Sequence, residues 1–283
     1  MAGLSSGVVA RKLRRLSAVP RRRIVNRLQG RAPGRPPVIA NSVPKSGTHL
    51  LLQVLGSLPG MRPWGLFLAS QPSFRFENVA PERMAKKIRT MADRELAGAH
   101  LYWSESVERA LADRGTVHFL IYRDPRDVVV SEAHYLAEMN RWHRLHGRFR
   151  SMPDLQSRIR LSITGLDPSN GIDYPDISER YRRFLAWFGS EGVCAVRYED
   201  LSGESCRRVV SDIVTHWTER DASPHRHDAL VTRAMEAIRP ERSHTFRSGG
   251  SGKWRDIMDA ETRACFVKHA ESLVVDLGYP GTE

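Results

Sequence analysis

The sequence predicts an α/β fold, a single domain with a central parallel sheet flanked by helices and a P-loop-like turn after its first strand. Three observations carry that prediction. After Pro37, short apolar runs alternate with amphipathic stretches, the pattern of strands and helices in a sheet covered on both faces. At residues 117–122, Phe119, Leu120 and Ile121 are consecutive apolar residues, as in a parallel strand buried on both sides. Lys45, Ser46, Gly47 and Thr48 fall between a predicted strand and a predicted helix, where a loop can bind an anion. The length of 283 residues suits one core, since a single domain can still grow at this size.

Taken in order, residues 38–43 read as a buried strand broken by Pro44. Leu51, Val54, Leu55 and Leu58 then have helical spacing, which predicts a helix over 48–58. A loose segment with Pro59, Pro63, Pro72 and Pro81 follows, and residues 84–91 read as a helix. Residues 96–101 form a short strand, and Ser104 is placed to cap a helix through Leu111. Asp124 caps the helix after the strand at 117–122, with Pro125 at its first position, where the missing N–H costs nothing. Residues 140–175 are rich in arginine and read as irregular. Ile177, Tyr181, Phe184 and Phe188 return to helical spacing, residues 193–196 make another buried strand, and the rest is helical apart from 240–254. Loops at the carboxyl ends of parallel strands carry ligands in such sheets, so those after Val43, Leu101 and Tyr122 are expected to converge.

Charge is concentrated at one end. The net charge is +12, but residues 1–37 hold ten basic side chains and no acid, leaving only +2 for the rest. The whole chain therefore does not read as a specific nucleic-acid binder. The arm has three readings: a solvated, disordered basic arm; an arm in peripheral contact with an anionic membrane or polymer; or an Arg-rich transit peptide. No apolar stretch of secretory-signal length follows the charges, and the longest apolar run, residues 184–188, is far short of the about 20 residues that span a bilayer. Cys194, Cys206 and Cys265 form no CxxC pair, so neither a disulfide framework nor a zinc cluster is indicated, and a reducing, cytoplasmic setting is expected.

The chemistry is carried by two loops. In NSVPKSGTHLLL, at 41–52, the backbone N–H groups of a helix start, a close-approach glycine and the mobile charge of Lys45 suit a phosphate. The order is not that of a Walker A loop, because the lysine precedes the glycine. The plainer alternative is a turn in which Ser46 or Thr48 caps the helix. In YRDPRDVVVS, at 122–131, Arg123 at a strand end and Ser131 two turns along the next helix could face a second phosphate. The alternative here is a structural bridge from Arg123 to Asp124 or Asp127.

Together these loops resemble the sulfotransferase family that uses 3'-phosphoadenosine 5'-phosphosulfate (PAPS). The family's 5'-phosphosulfate loop, roughly P-K-[ST]-G-[TS]-[TS]-W, is matched from Pro44 to Thr48, and its 3'-phosphate motif, roughly R-[ND]-P-[KR]-D-x3-S, from Arg123 to Ser131. Arg197, Tyr198, Glu199, Asp200 and Leu201 look like the strand-end YEDL segment, whose tyrosine lies near adenine. RSGGSGKWR, at 247–255, looks like the C-terminal loop that closes over the 3'-phosphate. The sequence departs at His49 and Leu50, where the family has a hydroxyl residue and tryptophan, and at Ser248, where it has lysine.

The resemblance implies transfer of a sulfuryl group from PAPS to a hydroxyl or amine of a small-molecule or glycan acceptor, without a metal. It assigns chemistry to Lys45, His100 and Ser131, His100 being the acceptor's base at the end of the strand before the 3'-phosphate strand. Donor binding falls to Lys45, Ser46, Gly47, Thr48, His49, Arg123, Ser131, Tyr198, Arg247, Ser248 and Gly249. A P-loop nucleotide or sugar kinase shares the strand-loop-helix but leaves the second motif unexplained. His143 with His146, and His225 with His227, lack a third metal ligand and read as solvated surface. The arginines of 140–175 point to an anionic or sugar-like acceptor. The sequence leaves the oligomeric state unread.

Overall fold

The computed structural model describes residues 34–239 and 250–282; the basic arm up to residue 33, and Arg247, Ser248 and Gly249, lie outside them. Strands β1 (Val38–Ser42), β2 (Phe67–Ala69), β3 (Leu96–His100), β4 (Val117–Tyr122) and β5 (Val193–Arg197) form a parallel sheet in the order β2-β3-β1-β4-β5. Successive side chains of a strand point to opposite faces, so each strand feeds two cores. Ile39, Ala97, Ala99 and Leu120 enter one of them; Val38, Ala40, Phe119 and Ile121 enter the other. Burying each large apolar side chain contributes roughly 1.5–3 kcal/mol, which is why both faces demand continuous apolar runs.

The first core is covered by α2 (Pro81–Arg89), α3 (Glu105–Asp113), α4 (Pro125–His134), α6 (Leu155–Thr164), α7 (Ile177–Leu185), α11 (Trp254–Ile257) and α12 (Ala260–Asp276). The second is covered by α1 (Thr48–Gly56), α8 (Tyr198–Ser202), α9 (Cys206–Thr218) and α10 (His227–Ala237). Short helix α5 (His146–Arg150) packs Phe149 into a satellite cluster with Leu136, Leu145 and Tyr174. The expected caps are made: Ser104 Oγ accepts from the Val107 N–H at 3.4 Å, and Asp124 accepts from the Arg126 N–H at 2.9 Å.

Two segments differ from the sequence reading. The loose stretch after Pro59 contains β2, whose three residues pair only with β3 and are too few to show a period. The stretch 140–175, expected to be irregular, holds α5 and α6. Asp154 caps α6 through the Ser157 N–H at 2.7 Å, and Ile159 and Ile163 are buried, a stripe hidden in the sequence by arginines on the other face. Several of those arginines are structural: Arg158 lies 3.6 Å from Glu138, and Arg160 lies 3.4 Å from Glu261 and bonds Thr262.

The chain runs from β1 outward to β2 and back to β3, then crosses to β4 and β5. β1 is therefore the switch point, with the loops after β1, β3 and β4 leaving the same edge. Ligands in open parallel sheets bind at such a point.

Candidate functional site

The loop after β1 is shaped by its backbone. Lys45 has φ 68°, and Gly47, the residue before α1, has φ 97°. That conformation disfavours a side chain, and a Cβ on Gly47 would lie 2.5 Å from the Tyr198 ring, so only glycine fits beneath that tyrosine. Among the described residues no side chain caps α1, and no acid stands in its first turn, so its positive dipole end favours an anion. Ser46 is fully buried in the turn, while Thr48 and His49 open the helix.

Lys45 reaches across this loop to the next motif. Its Nζ lies 3.8 Å from the centroid of the Tyr135 ring, four residues after Ser131, where α4 passes into a π-helical turn over Tyr135–Met139. Burial pulls the Lys45 pKa down to about 8; the Glu132 carboxylate opposes that shift and Arg123 adds to it. Glu132 is itself fixed by Ser162 Oγ at 2.6 Å, Tyr174 Oη at 2.8 Å and Arg180 at 3.1 Å. Neither Tyr135 nor Glu132 was among the residues expected from sequence.

His100 ends β3 directly opposite the end of β1. The register pairs Asn41 with Ala99, so the next pair sets Ser42 beside His100. His100 Nδ1 is 2.9 Å from the Ser42 carbonyl and 3.0 Å from Ser42 Oγ, and that Oγ is 2.6 Å from Thr48 Oγ1. A carbonyl can only accept, so Nδ1 carries the proton and Nε2 is the basic nitrogen. The residue is largely enclosed but not sealed. Burial lowers its pKa to about 4; the Ser42 carbonyl opposes the shift, while Lys45 and His49 reinforce it. Buried Asn41 locks this register: its side chain donates to the Leu101 carbonyl at 3.1 Å and accepts from the Leu101 N–H at 2.8 Å.

Arg123 leaves β4 with its guanidinium 4.4 Å from the Tyr198 ring centroid, so Tyr198 lies between Gly47 and Arg123. Arg123 also pairs with Asp127 at 3.5 Å and donates to the Gly250 carbonyl at 3.0 Å, a bridge of the kind raised as its structural alternative. Asp127 in turn accepts from the Gly252 N–H at 2.7 Å and the Trp254 N–H at 3.2 Å. These bonds tie the described end of the glycine-rich loop to the start of α4. Arg126 is wholly buried, paired with Asp124 at 2.7 Å and stacked on Trp254, and so belongs to the frame. Ser131 is half-buried on α4, one residue before Glu132.

A cavity of about 710 Å³ lies elsewhere, at the amino ends of β4 and β5, lined by Arg35, Leu111, His118, Trp187 and Arg220 among others. It touches none of the three loops. Among the described residues, no group of three or more His, Cys, Asp or Glu side chains could hold a metal, and no helix is long and apolar enough to cross a membrane. All three cysteines are free.

A parallel sheet with a lysine loop, an arginine loop and a histidine gathered at its switch point defines a P-loop-like α/β protein. A family model described as sulfotransferase domain matches residues 35–278, and the chain belongs to the PAPS-dependent sulfotransferase family. Among solved structures it is similar to the mouse sulfotransferase SULT7A1 complexed with PAP, at 17% identity and TM-score 0.58, over 90% of this chain and 89% of that one. It is also similar to retinol dehydratase in complex with androsterone and inactive cofactor PAP, at 14% identity and TM-score 0.58, over 89% and 84%. A second retinol dehydratase complex, with retinol and PAP, matches at 14% identity and TM-score 0.58, over 92% and 88%. At these identities the likeness is one of fold. No curated protein matches the sequence.

Proposed function

We propose that this sulfotransferase takes its sulfuryl group from PAPS and passes it to a hydroxyl of a small-molecule acceptor, with His100 as base and Lys45 as the charge that stabilises the leaving oxygen. The observation that carries this reading is the tautomer of His100, fixed by the Ser42 carbonyl at 2.9 Å, beside the loop that carries Lys45. The residues fit the donor. The tight cradle under Tyr198 at Gly47, the uncapped start of α1 and the guanidinium of Arg123 offer two anion positions joined by one aromatic ring.

When bound, the donor supplies a sulfur–oxygen bond to its 5'-phosphate that breaks as the acceptor oxygen bonds to sulfur. The acceptor proton passes to His100 Nε2, which is neutral at physiological pH because its pKa lies near 4. A nearby anion raises a histidine pKa, so the polyanionic donor would make this base stronger than it is in the protein alone. Lys45 places a positive charge where negative charge develops, usually a large catalytic contribution. In this reading Arg123 and Ser131 hold the 3'-phosphate, and Thr48 and His49 the 5' end.

Retinol dehydratase, similar in fold, is in complex with androsterone in one structure and with retinol in the other, which supports a small-molecule acceptor here. The direct test is a thermal shift with adenosine 3',5'-bisphosphate against ATP with magnesium, since a ligand of the native state raises the melting point. A rise with the bisphosphate alone is expected. A rise only with ATP and magnesium would favour the kinase reading. An acceptor screen with labelled donor then identifies the hydroxyl compound.

A further inference from the structure

Two neighbouring turns near the site carry the most exposed aromatic side chains among the described residues. Phe74 and Trp142 are each 69% exposed, and Met139 is 40% exposed. The first turn is closed by the Phe76 N–H on the Pro72 carbonyl at 2.7 Å. Phe76 adopts φ 59° and turns its ring inward against His143, 4.9 Å away, leaving Phe74 and Arg75 at the tip. In the second, the His143 N–H bonds the Asn140 carbonyl at 3.0 Å and Leu145 is buried, which leaves Arg141 and Trp142 outermost. The Arg144 N–H bonds the Ser73 carbonyl at 2.9 Å and clips the two turns together. Each tip thus shows one aromatic ring and one arginine, with Arg144 between them; the acids close in sequence are Glu77 and Glu138, and Glu138 lies 3.6 Å from Arg158.

We propose that these paired tips, residues 72–76 and 139–144, dock the enzyme on an anionic membrane surface. Exposed apolar clusters rimmed by charge mark interaction sites. Tryptophan settles at headgroup depth, Phe and Met enter the acyl boundary, and arginines reach anionic phosphates and carboxylates while their stems stay apolar. Projecting tips of this composition need no shaped complement, and a fluid bilayer offers none. Stable peripheral binding takes two signals, and the arm supplies a second one in sequence, ten basic side chains without an acid in residues 1–37. Residue Ala69 pairs with His100 across the sheet, so the first turn leaves the edge that carries His100, and docking faces that edge toward the lipid.

The full-length chain is sedimented with vesicles of phosphatidylcholine alone or with roughly a third phosphatidylserine. Strong binding to the serine-containing vesicles is expected. Phe74→Ser with Trp142→Ser should lower the bound fraction tenfold or more, and Arg75→Gln, Arg141→Gln and Arg144→Gln together should cost about fivefold per arginine and erase the preference for serine lipid. An unchanged melting shift with adenosine 3',5'-bisphosphate shows that each variant is folded. Deleting residues 1–33 should weaken binding and leave its dependence on the tips. If both tip variants sediment like the wild type, the surface does not dock and the proposal is overturned. Loss of retention on an acidic polysaccharide matrix with unchanged vesicle binding also overturns it, and assigns the tips to a soluble polyanion.

Discussion

Lys45 holds a backbone conformation that most side chains avoid, at φ 68°, and that turn sends its ammonium onto the face of Tyr135. A desolvated cation over a ring gains roughly 0.5–2 kcal/mol, all of it in the charged form. The ring therefore works with Glu132 against burial, which has already lowered the pKa to about 8. If Lys45 acts as an ammonium, kcat/KM for the donor should fall above about pH 8. Tyr135→Leu removes the ring and should move that fall to lower pH by roughly half a pH unit to one pH unit, whereas Tyr135→Phe should leave it in place. Identical pH profiles for the two variants would remove Tyr135 from this role. For His100, replacement by alanine should lower turnover by about 10²- to 10⁴-fold while the bisphosphate still binds. Equal loss of turnover and of bisphosphate binding would mean that the imidazole is part of the donor cradle instead.

At the level of elements, the site depends on how β1 meets β3. Asn41 satisfies both backbone groups of Leu101 and also accepts from the Ser42 N–H at 3.0 Å, all in a fully buried position. Alanine there would strand those groups, and each buried polar group left unpaired costs about 1–3 kcal/mol. Asn41→Ala should therefore lose about 2–4 kcal/mol in urea unfolding, with a larger fall in turnover than in donor binding because His100 follows this register. The contacts also mark what the sequence could and could not reveal. Strand ends, Asp124 with Pro125, and the order of lysine, glycine and arginine were legible because they are local signals. Ser42 as the partner of His100 was not, since the pair is 58 residues apart and exists only through the parallel register. Tyr135 and Glu132 were hidden for the same reason: in sequence they are ordinary helix residues, and only the tertiary crossing of the first loop and α4 brings Lys45 to them. β2 left no pattern in three residues, and nothing local in the sequence marks Arg126 as buried against Trp254.

Across the whole molecule, burial lowers the pKa of four of the described histidines, His216 among them. His100 and His143 have pKa values lowered to about 4, and His118 to about 3, in each case chiefly by burial. The unfolded chain takes up these protons at the ordinary value of 6.5, while the native state does not. Stability is thus flat with respect to them above about pH 6.5, falls as pH drops from there toward 4, and levels off once the native imidazoles also protonate. Carboxylates with lowered pKa values, such as Asp173 and Asp221, act below that window. Each unprotonated native histidine contributes a slope of up to about 1.4 kcal/mol per pH unit. His118 isolates one of them, since it is 2% exposed, has neither ring nitrogen bonded among the described residues, and stands edge-on to Trp187 at 4.6 Å. His118→Leu removes the proton-binding group, and its packing cost does not depend on pH. Urea unfolding at a series of pH values between about 7.5 and 4.5 should give a curve for the variant that is shallower than wild type by about 1.4 kcal/mol per pH unit in the acid half. Parallel curves would show that His118 binds its proton equally in the folded and unfolded chains, and that the acid limb comes from His100, His143 and His216.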